Sequence, residues 1–427
     1  MKHQHITVDK TVDQQRRSLM GKIVAAPLAM GLASSFTTAV SAAPRETTYG
    51  GLNNSRRDFE FEGTFLNGAY MHPVATGAAD AIKQYLDARL MNAGQQQVNM
   101  SGDRDTAIKL FGKLFNADAD ELAWIPSTTV AENLVVDGLG LHEKGSVVTD
   151  VYHFSGSLFM YNEFAKQGLK YTIVEARDQR IHVEDIAKAI KPDTRLIALT
   201  LVSNVAGFEH DLKAVCDMAH AKGVMVYADI IQAAGNTPID LHGSGVDFAA
   251  CSTYKWLMGD FGIGIMYARR DSQAALKRSQ IGFRQEGKVI THYLPMDKPG
   301  YPLIETQATS GLSGIVGVGT LGNGAVAALA YSLGYLDKLG LDNIKAWRQP
   351  LLQQLQTEMP KLGFQPLTPV DSTSAIVSFA FNDDATKLYN KLQKAGVSVT
   401  VYRHYLRIAP SFYNSVTDIE RLLGALK

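Results

Sequence analysis

The sequence predicts an α/β fold: a mostly parallel β-sheet with helices on both faces, followed by a smaller C-terminal α+β domain. Between residues 145 and 267, short apolar runs alternate with segments of helical periodicity, as expected for buried parallel strands joined by helices. After about residue 340 this alternation gives way to a different order of helices and strands. The chain has 427 residues, of which 46% are hydrophobic and 20% are charged. It is therefore long enough for a large core and two domains.

Each element follows from its own segment of this pattern. Helical periodicity predicts helices at 76–92, 103–115, 129–140, 155–167, 183–190 and 211–222. The apolar runs predict strands at 145–149, 170–174, 195–202, 223–228, 247–252 and 262–267. The C-terminal part predicts helices at 342–362 and 384–395, with strands near 374–381, 397–402 and 404–409.

These elements predict a large domain at 64–335 and a small domain at 336–427, preceded by a polar N-terminal arm at 44–63. Ligands of open α/β sheets bind beyond the carboxyl ends of the strands. We therefore expect the functional residues to follow directly after predicted strands.

The first 43 residues predict a twin-arginine signal peptide. Two arginines at 16 and 17 precede a mildly apolar stretch at 23–36, and small residues follow at 39–43, which is the order of a cleavable bacterial signal. A membrane anchor is the alternative, although the stretch is polar for a spanning helix. We expect cleavage near Ala42, export by the twin-arginine machinery and a periplasmic location.

Charge and cysteine content narrow the function classes. Forty-two basic side chains balance forty-two acidic ones. The chain therefore lacks the excess of basic residues that would indicate a nucleic-acid partner. The two cysteines, Cys216 and Cys251, do not make a disulfide framework, although a single bridge stays open.

Lys255 and Asp229 are the most informative pair. Asp229 ends the apolar run at 223–228, and Lys255 follows the run at 247–252. Pyridoxal phosphate (PLP) chemistry needs such a pair, because a lysine amine forms a Schiff base with the cofactor aldehyde while a carboxylate holds the pyridine nitrogen protonated. The pair predicts a PLP enzyme.

The segment Ser127-Thr128-Thr129 passes from an apolar stretch into a predicted helix. Free amides and the dipole at a helix N-terminus bind anions, and the three hydroxyls can add hydrogen bonds to a phosphate. Simple capping of the helix by a hydroxyl is the alternative.

Four further polar residues lie at positions suited to a cofactor or substrate. Asn204 and Gln232 can bond the phenolic oxygen of the cofactor, with turn or capping chemistry as the alternative. His153, after the strand at 145–149, can stack on the pyridine ring or be structural. Arg407, in a buried-looking strand, can bind a substrate carboxylate or form a structural ion pair.

One glycine motif points elsewhere. The segment Gly317-Val318-Gly319-Thr320-Leu321-Gly322 matches the dinucleotide-binding pattern G-x-G-x-x-G. No clear strand precedes it, and no strand with an acidic ribose partner follows at the required distance. We therefore interpret it as part of a close-packed helix.

Together these residues resemble the class V aminotransferases, a family of PLP fold type I that includes cysteine desulfurases. The resemblance spans roughly residues 64–415 and is carried by motifs in the family's order: Ser127-Thr128-Thr129, His153, Asn204, Asp229-x-x-Gln232, Ser252-x-x-Lys255 and Arg407. It implies a large domain built on a seven-stranded, mostly parallel sheet and a smaller C-terminal domain.

The resemblance also implies residue roles. The catalytic residues would be Lys255 as the Schiff-base lysine and proton shuttle, Asp229 at the pyridinium nitrogen and His153 on the ring. The other cofactor contacts would be Asn204 and Gln232 at the phenolic oxygen and Thr128, Thr129 and Ser252 at the phosphate, with Thr309 reaching the phosphate of the partner subunit in a homodimer. Arg407 would bind the substrate α-carboxylate, and Asn67-Gly68-Ala69-Tyr70 resembles the family's N-terminal substrate loop.

Two departures from the family refine the expected activity. No cysteine lies in the C-terminal third, where cysteine desulfurases carry their sulfur acceptor, and Tyr254 replaces the histidine that desulfurases carry before the lysine. Both departures point away from desulfuration.

An exported protein is uncommon in this family, and in export, length and family this chain resembles the periplasmic PLP enzymes that tailor pyoverdine siderophores. We therefore expect a peptide siderophore as substrate, whose glutamate side arm is converted to succinamide. An aminotransferase, epimerase or C–S lyase acting on another amino-acid-like small molecule is the alternative. Two further hypotheses are a binding protein that keeps the PLP fold without activity and a nucleotide-dependent oxidoreductase.

Overall fold

The computed structural model describes residues 52–92 and 100–427. The predicted signal peptide at 1–43 lies outside these residues. Of the predicted N-terminal arm, the described part contains a short 3₁₀ helix, Leu52–Asp58. Phe59, just after it, packs against Phe412 and Tyr413 near the C-terminus.

A seven-stranded sheet forms the centre of the large domain. Its strands, in chain order, are β2 (Leu122–Ile125), β3 (Ser146–Asp150), β4 (Lys170–Val174), β5 (Thr194–Thr200), β6 (Met225–Asp229), β7 (Phe248–Ser252) and β8 (Gly264–Ala268), after a two-residue strand β1 (Thr64–Phe65). Their spatial order is β2-β8-β7-β6-β5-β3-β4. Only β8 runs antiparallel to its neighbours β7 and β2, so the carboxyl ends of the other six strands meet at one edge.

Helices cover both faces of this sheet. In chain order they are α1 (Thr76–Asn92), α2 (Met100–Phe115), α3 (Thr128–Gly138), α4 (Ser155–Ala165), α5 (Val183–Ala189), α6 (Leu212–His220), α7 (Leu241–Ser244), α8 (Arg270–Gln273), α9 (Ser313–Val316) and α10 (Asn323–Leu339). Helix α6 illustrates why they pack: its buried residues Leu212, Val215, Cys216 and Ala219 have the spacing of one helix face. The Asp211 side chain caps its first turn by accepting the Ala214 N–H.

The C-terminal part has its own sheet and core. Strands β11 (Gln365–Pro366), β12 (Val377–Ala380), β14 (Thr400–Val401) and β15 (Tyr405–Ile408) form an antiparallel sheet in the order β11-β12-β15-β14. Strand β13 (Val397–Ser398) instead pairs with β1. Helices α11 (Leu341–Glu358), α12 (Ala385–Lys394) and α13 (Val416–Leu426) pack with this sheet around a separate apolar cluster that includes Leu352, Phe379 and Leu422.

The predicted α/β class and fold type are confirmed by this architecture. The division at residue 335 stays a prediction; it falls within α10. Two predicted details are wrong. Residues 317–322 form a loop between α9 and α10 rather than a helix, because a backbone with Gly319 at φ +73° leaves the helical region. Strand β2 was also not predicted.

A β-hairpin was missed as well. Strands β9 (Glu286–Thr291) and β10 (Ile304–Ala308) pair with each other outside both larger sheets. Their side chains are exposed or half-exposed on both faces, so the segment has none of the buried periodicity that reveals a strand. Among the described residues, no helix combines the length and apolar character that a membrane crossing needs.

Candidate active site

Lys255 and Asp229 lie at the carboxyl edge of the large sheet. Asp229 is the last residue of β6, and Lys255 lies three residues beyond the end of the neighbouring strand β7. Both side chains are buried, with 2% of Asp229 and 8% of Lys255 exposed. The strand order therefore brings together the two residues that the sequence singled out.

Burial perturbs both groups in the direction that favours their neutral forms. It lowers the pKa of Lys255 to about 8, an effect that the nearby Asp229 charge opposes and Arg407 assists. It raises the pKa of Asp229 to about 6, against the backbone N–H of Ile231, which donates to Oδ1 at 2.9 Å, and the charges of His153 and Lys255. A lysine with a lowered pKa is a better nucleophile near neutral pH.

The predicted phosphate residues meet across the sheet. The Thr128 N–H donates to Ser252 Oγ at 3.0 Å, and the Ser252 N–H donates to Thr128 Oγ1 at 2.8 Å. Ser127 caps α3, its hydroxyl accepting from the Val130 N–H. The first turn of an eleven-residue helix and two hydroxyls thus share one corner beside Lys255, which suits a phosphate.

His153 is close enough to Asp229 for their charges to interact, whereas Asn204 lines the same cleft as Lys255. The His153 ring is buried between Glu132 and Thr200, with Nε2 at 2.9 Å from Glu132 Oε1 and Nδ1 at 2.7 Å from Thr200 Oγ1. The Oδ1 atom of Asn204 is buried and has no hydrogen-bond partner. An unsatisfied buried oxygen of this kind is costly unless a ligand completes it.

Gln232 has a role in the chain that its sequence position did not reveal. Its Nε2 donates to the backbone oxygen of Ala69 at 3.0 Å, and its Oε1 accepts from the Trp256 indole N–H at 2.9 Å. Gln232 therefore connects the predicted substrate loop, through Ala69, to Trp256, which follows Lys255 in the chain. One Nε2 hydrogen remains for the phenolic oxygen of the cofactor.

Arg407 reaches from the small sheet to the large one. Its guanidinium donates to the backbone oxygen of Asn204 at 2.9 Å and to Thr400 Oγ1 at 3.2 Å. The Thr400 hydroxyl donates in turn to Asn67 Oδ1 at 2.6 Å. Arg407 Nε is buried without a partner, and no carboxylate among the described residues forms an ion pair with Arg407. The predicted alternative of a structural ion pair is therefore wrong.

Lys255, Asn204 and Arg407 line one cleft of about 300 Å³, whereas Asp229, His153, Gln232, Thr128 and Ser252 do not line it. It is lined by Ala69, Tyr70, Met71, Phe154, Asn204, Tyr254, Lys255, Phe261, Tyr402 and Arg407. Tyr70 is largely exposed at the mouth, and Tyr254 stacks on Phe261 with ring centroids 4.3 Å apart. The cleft thus has a cationic floor, formed by Lys255 and Arg407, and an aromatic wall, formed by Tyr70, Phe154, Tyr254, Phe261 and Tyr402.

Thr309 is not among the residues that line this cleft. It follows β10 at the base of the hairpin, where its N–H donates to the Gln285 backbone oxygen at 2.8 Å. A position away from the cleft of its own subunit is what a contribution to a partner's site requires. The role of Thr309 itself stays a prediction.

Four further residues of the site were not predicted from the sequence: Glu132, Thr200, Tyr402 and Phe154. Glu132 had a readable signal: a carboxylate next to the apolar run Leu134-Val135-Val136, on a helix whose inner face is buried, must have buried partners. Tyr402, Phe154 and Thr200 gave no such signal in the sequence, because their contacts depend on how distant segments of the chain meet in the fold.

The residues present fit PLP. Asp229 forms no direct ion pair with any described side chain, so its carboxylate would be available to pair directly with the protonated pyridine nitrogen of the cofactor. Thr128, Thr129 and Ser252 would hold the phosphate, while Asn204 would complete the contact at the phenolic oxygen. Lys255 would carry the cofactor.

Residues 76–422 match the family described as aminotransferase class-V. A probable cysteine desulfurase of Methanothermobacter thermautotrophicus is 24% identical over 364 residues, covering 82% of this chain and 86% of its own. The uncharacterized aminotransferase YcbU of Bacillus subtilis is 23% identical over 364 residues, covering 85% of this chain and 93% of its own.

Solved structures show the same fold. The cysteine desulfurase CsdA of Escherichia coli superposes with a TM-score of 0.76 at 22% identity, covering 88% of this chain and 97% of its own. C-DES, solved with glycine covalently linked to its PLP cofactor, superposes with a TM-score of 0.78 at 18% identity, covering 87% of this chain and 98% of its own.

Proposed function

The chain belongs to the class V aminotransferase family of PLP-dependent enzymes, and on that basis we propose that it acts in the periplasm on the amino-acid head group of a pyoverdine-type siderophore. The glutamate side arm of such a peptide is joined through its side-chain carboxyl, which leaves the amine and the α-carboxylate free. These are the two groups that Lys255 and Arg407 are placed to receive.

The observation that carries the proposal is the aromatic wall around this cationic floor. Tyr70, Phe154, Tyr254, Phe261 and Tyr402 all line the cleft. A free metabolic amino acid would need only the Lys255–Arg407 floor. A row of aromatic faces favours an amino acid that carries a large planar group, since aromatic rings bind through offset stacking.

The chain's own residues account for binding and proton transfer. When bound, PLP supplies an aldehyde that condenses with a primary amine and a pyridinium ring that accepts electron density from a breaking bond at Cα. Arg407 would fix the α-carboxylate and so orient the bonds at Cα of the substrate. Asp229 would hold the proton on the pyridine nitrogen. The Nζ of Lys255 would remove or return a proton at Cα.

Conversion of the glutamate arm to succinamide requires an oxidant. The arm loses its α-carboxyl as carbon dioxide, and Cα becomes an amide carbon that keeps the original nitrogen. With one molecule of dioxygen the reaction balances as amide, carbon dioxide and water. We therefore propose dioxygen as the co-substrate and as the source of the new amide oxygen.

We also propose that the enzyme is a homodimer in which Thr309 reaches the partner's phosphate site. Thr309 lies at the base of the β9–β10 hairpin, outside its own cleft. The hairpin region exposes large apolar side chains, including Phe283, Met296 and Tyr301, and such patches mark interaction surfaces. A sedimentation measurement that gave a monomer for the holoenzyme would contradict this assembly.

A C–S lyase acting on a cysteine-like substrate is the second candidate, because relatives of the chain are named cysteine desulfurases and a structural neighbour is named a cystine C–S lyase. The sulfur-accepting role is not available to either cysteine of this chain. Cys216 lies inside α6 and Cys251 inside β7, both fully buried, and burial raises the pKa of Cys216 to about 12.

Mass spectrometry of peptide siderophores from a deletion strain tests the proposal. We expect the glutamate arm to remain unmodified, and complementation with the intact gene but not with Lys255→Ala to restore succinamide. Growth under ¹⁸O₂ should label the amide oxygen. An unchanged siderophore profile in the deletion strain would overturn the siderophore assignment and leave the family assignment standing. Sulfide release from cysteine by the purified enzyme would favour the lyase.

A further inference from the structure

A fully buried carboxylate lies behind the cofactor site, and the proposed reaction does not use it. Glu132 is on α3, and its side chain is inaccessible to solvent. It accepts hydrogen bonds from Ser157 Oγ at 2.5 Å, Tyr161 O–H at 2.7 Å and His153 Nε2 at 2.9 Å. No lysine or arginine among the described residues pairs with it, so His153 is its one possible counter-charge in that part of the chain.

The surroundings of His153 are acidic on several sides. Glu132 faces it from α3, Asp150 from the end of β3, and Asp229 from the end of β6. Asp150 has a second histidine neighbour, His210, whose Nε2 lies 3.3 Å from its Oδ2. The remaining polar groups near the pair are neutral hydroxyls: Ser157 and Tyr161 on α4, Thr200 on β5 and Tyr227 on β6.

Burial and pairing act in opposite directions on both members of the pair. Burial by itself lowers the pKa of His153, but the charges of Glu132, Asp150 and Asp229 together leave it raised. Burial by itself raises the pKa of Glu132, but His153 and the two hydroxyl donors leave it lowered. An unpaired buried charge is costly, so each group favours the charged form of the other.

The ring environment agrees with a doubly protonated histidine. Nε2 donates to Glu132, and Nδ1 lies 2.7 Å from Thr200 Oγ1. Thr200 Oγ1 already accepts the Phe154 N–H at 3.1 Å. A hydroxyl oxygen has a second lone pair to accept from Nδ1–H, so both ring N–H groups can be satisfied at once.

We propose that Glu132 is a positioning residue for the cofactor site: it keeps His153 doubly protonated, and that positive charge keeps the Asp229 carboxylate ionised. Charges then alternate from Glu132 through His153 to Asp229 and the pyridine nitrogen that Asp229 is placed to hold. The link matters because burial raises the pKa of Asp229 to about 6, whereas His153 lowers it. The inference rests on the PLP site and not on the identity of the substrate.

Nitrogen NMR of the holoenzyme labelled with ¹⁵N-histidine tests the inference directly. The His153 signals are assigned with a His153→Gln variant, and ring nitrogens with and without a proton differ strongly in chemical shift. In the unmodified enzyme we expect both His153 nitrogens to be protonated at pH 7.5. In Glu132→Gln, which keeps the shape of the side chain, we expect one nitrogen to lose its proton at a pH lower by about one unit or more.

A second readout follows the cofactor itself. With ¹⁵N-labelled PLP, the pyridine nitrogen should lose its proton at a lower pH in Glu132→Gln than in the unmodified enzyme. Glu163→Gln is the matched control, because Glu163 lies half-exposed on α4 and pairs with Lys166; both titrations should be unchanged in it. A purely structural role for Glu132 would lower thermal stability and move neither titration.

A singly protonated His153 in the unmodified holoenzyme at pH 7.5 would overturn the inference, and this measurement needs no variant to fold. Unchanged titrations in a folded Glu132→Gln enzyme would also overturn it. Neither result depends on siderophore turnover, so a failure of the proposed substrate is distinguishable from a failure of this inference.

Discussion

The Arg407 guanidinium donates a hydrogen bond to the backbone oxygen of Asn204 at 2.9 Å. Arg407 belongs to β15 of the small sheet, and Asn204 lies in the loop that follows β5 of the large sheet. The bond therefore fixes the distance between the predicted carboxylate-binding group and the predicted contact of the cofactor's phenolic oxygen. The reacting groups are positioned by the contact between two sheets.

Replacing Arg407 by lysine should lower the catalytic efficiency for substrates that carry an α-carboxylate. Lysine keeps the charge but loses the planar fork that pairs with a carboxylate. We expect kcat/KM to fall about 10- to 100-fold, the range for a lost charge-assisted hydrogen bond. An amine analogue without the carboxylate should be converted equally by both forms.

Arg403→Lys is the control, since Arg403 is exposed in the same segment. If Arg407→Lys impaired the carboxylate-free analogue as strongly, the bond to Asn204, and not carboxylate binding, would be the main role of Arg407.

Cofactor loading should depend on pH through Lys255. The lowered pKa of about 8 means that about one tenth of the amine is neutral at pH 7. Only the neutral amine attacks an aldehyde, so the rate at which apoprotein turns yellow with PLP should rise with pH through about 8 and then level off. Because Asp229 raises the pKa of Lys255, Asp229→Asn should move this profile to lower pH.

Two lysine variants complete this test. Lys255→Ala should retain no cofactor after borohydride reduction, while Lys277→Ala, which changes an exposed lysine, should load normally. A profile that rose only near pH 10 would show that Lys255 has the pKa of an ordinary lysine.

Gln232→Ala should destabilise the fold. It removes the partners of the buried Trp256 indole N–H and of the Ala69 oxygen. Each unsatisfied buried group costs about 1–3 kcal/mol, so the free energy of unfolding in urea should fall by about 2–6 kcal/mol. Gln353→Ala, an exposed site on α11, should change it little. An equally small change for Gln232→Ala would mean that water replaces both bonds.

The sequence predicted six of the seven strands of the large sheet, and all of these except β4 are almost entirely buried. An apolar run such as Leu196 to Leu199 marks its own position, and residues after the runs, including Asp229 and Lys255, were found with it. The hairpin β9–β10 gave no such signal, since both its faces are exposed.

Contacts between distant segments were beyond the sequence. Glu132 and Thr200 enclose His153 from separate elements 21 and 47 residues away along the chain. The aromatic wall has the same origin: Phe154, Phe261 and Tyr402 come from three different loops. Such sets of residues can be recognised only when the strand order is known, because neighbours in the sheet are not neighbours in the chain.

Neither cysteine should react in the folded enzyme. Cys216 and Cys251 are fully buried, and burial raises the pKa of both thiols, so little thiolate forms and no reagent reaches it. An aromatic disulfide reagent should label neither in buffer and both in denaturant. Cys216→Ala and Cys251→Ala should retain activity after correction for folded fraction. A persulfide on either residue after incubation with cysteine would revive the desulfurase assignment.

The aromatic wall should discriminate between a large planar substrate and a small amino acid. Tyr70 and Phe261 are the more exposed members of the wall, so their rings are placed to stack on a group that projects from the cleft. Stacking contributes about 0.5–1.5 kcal/mol per ring pair, and we therefore expect Tyr70→Ala and Phe261→Ala each to raise KM for the siderophore about 2- to 10-fold. KM for free glutamate should stay unchanged. Tyr389→Ala, at an exposed tyrosine on α12, is the control. An equal rise in KM for both substrates would show that these rings shape the cleft and do not recognise the planar group.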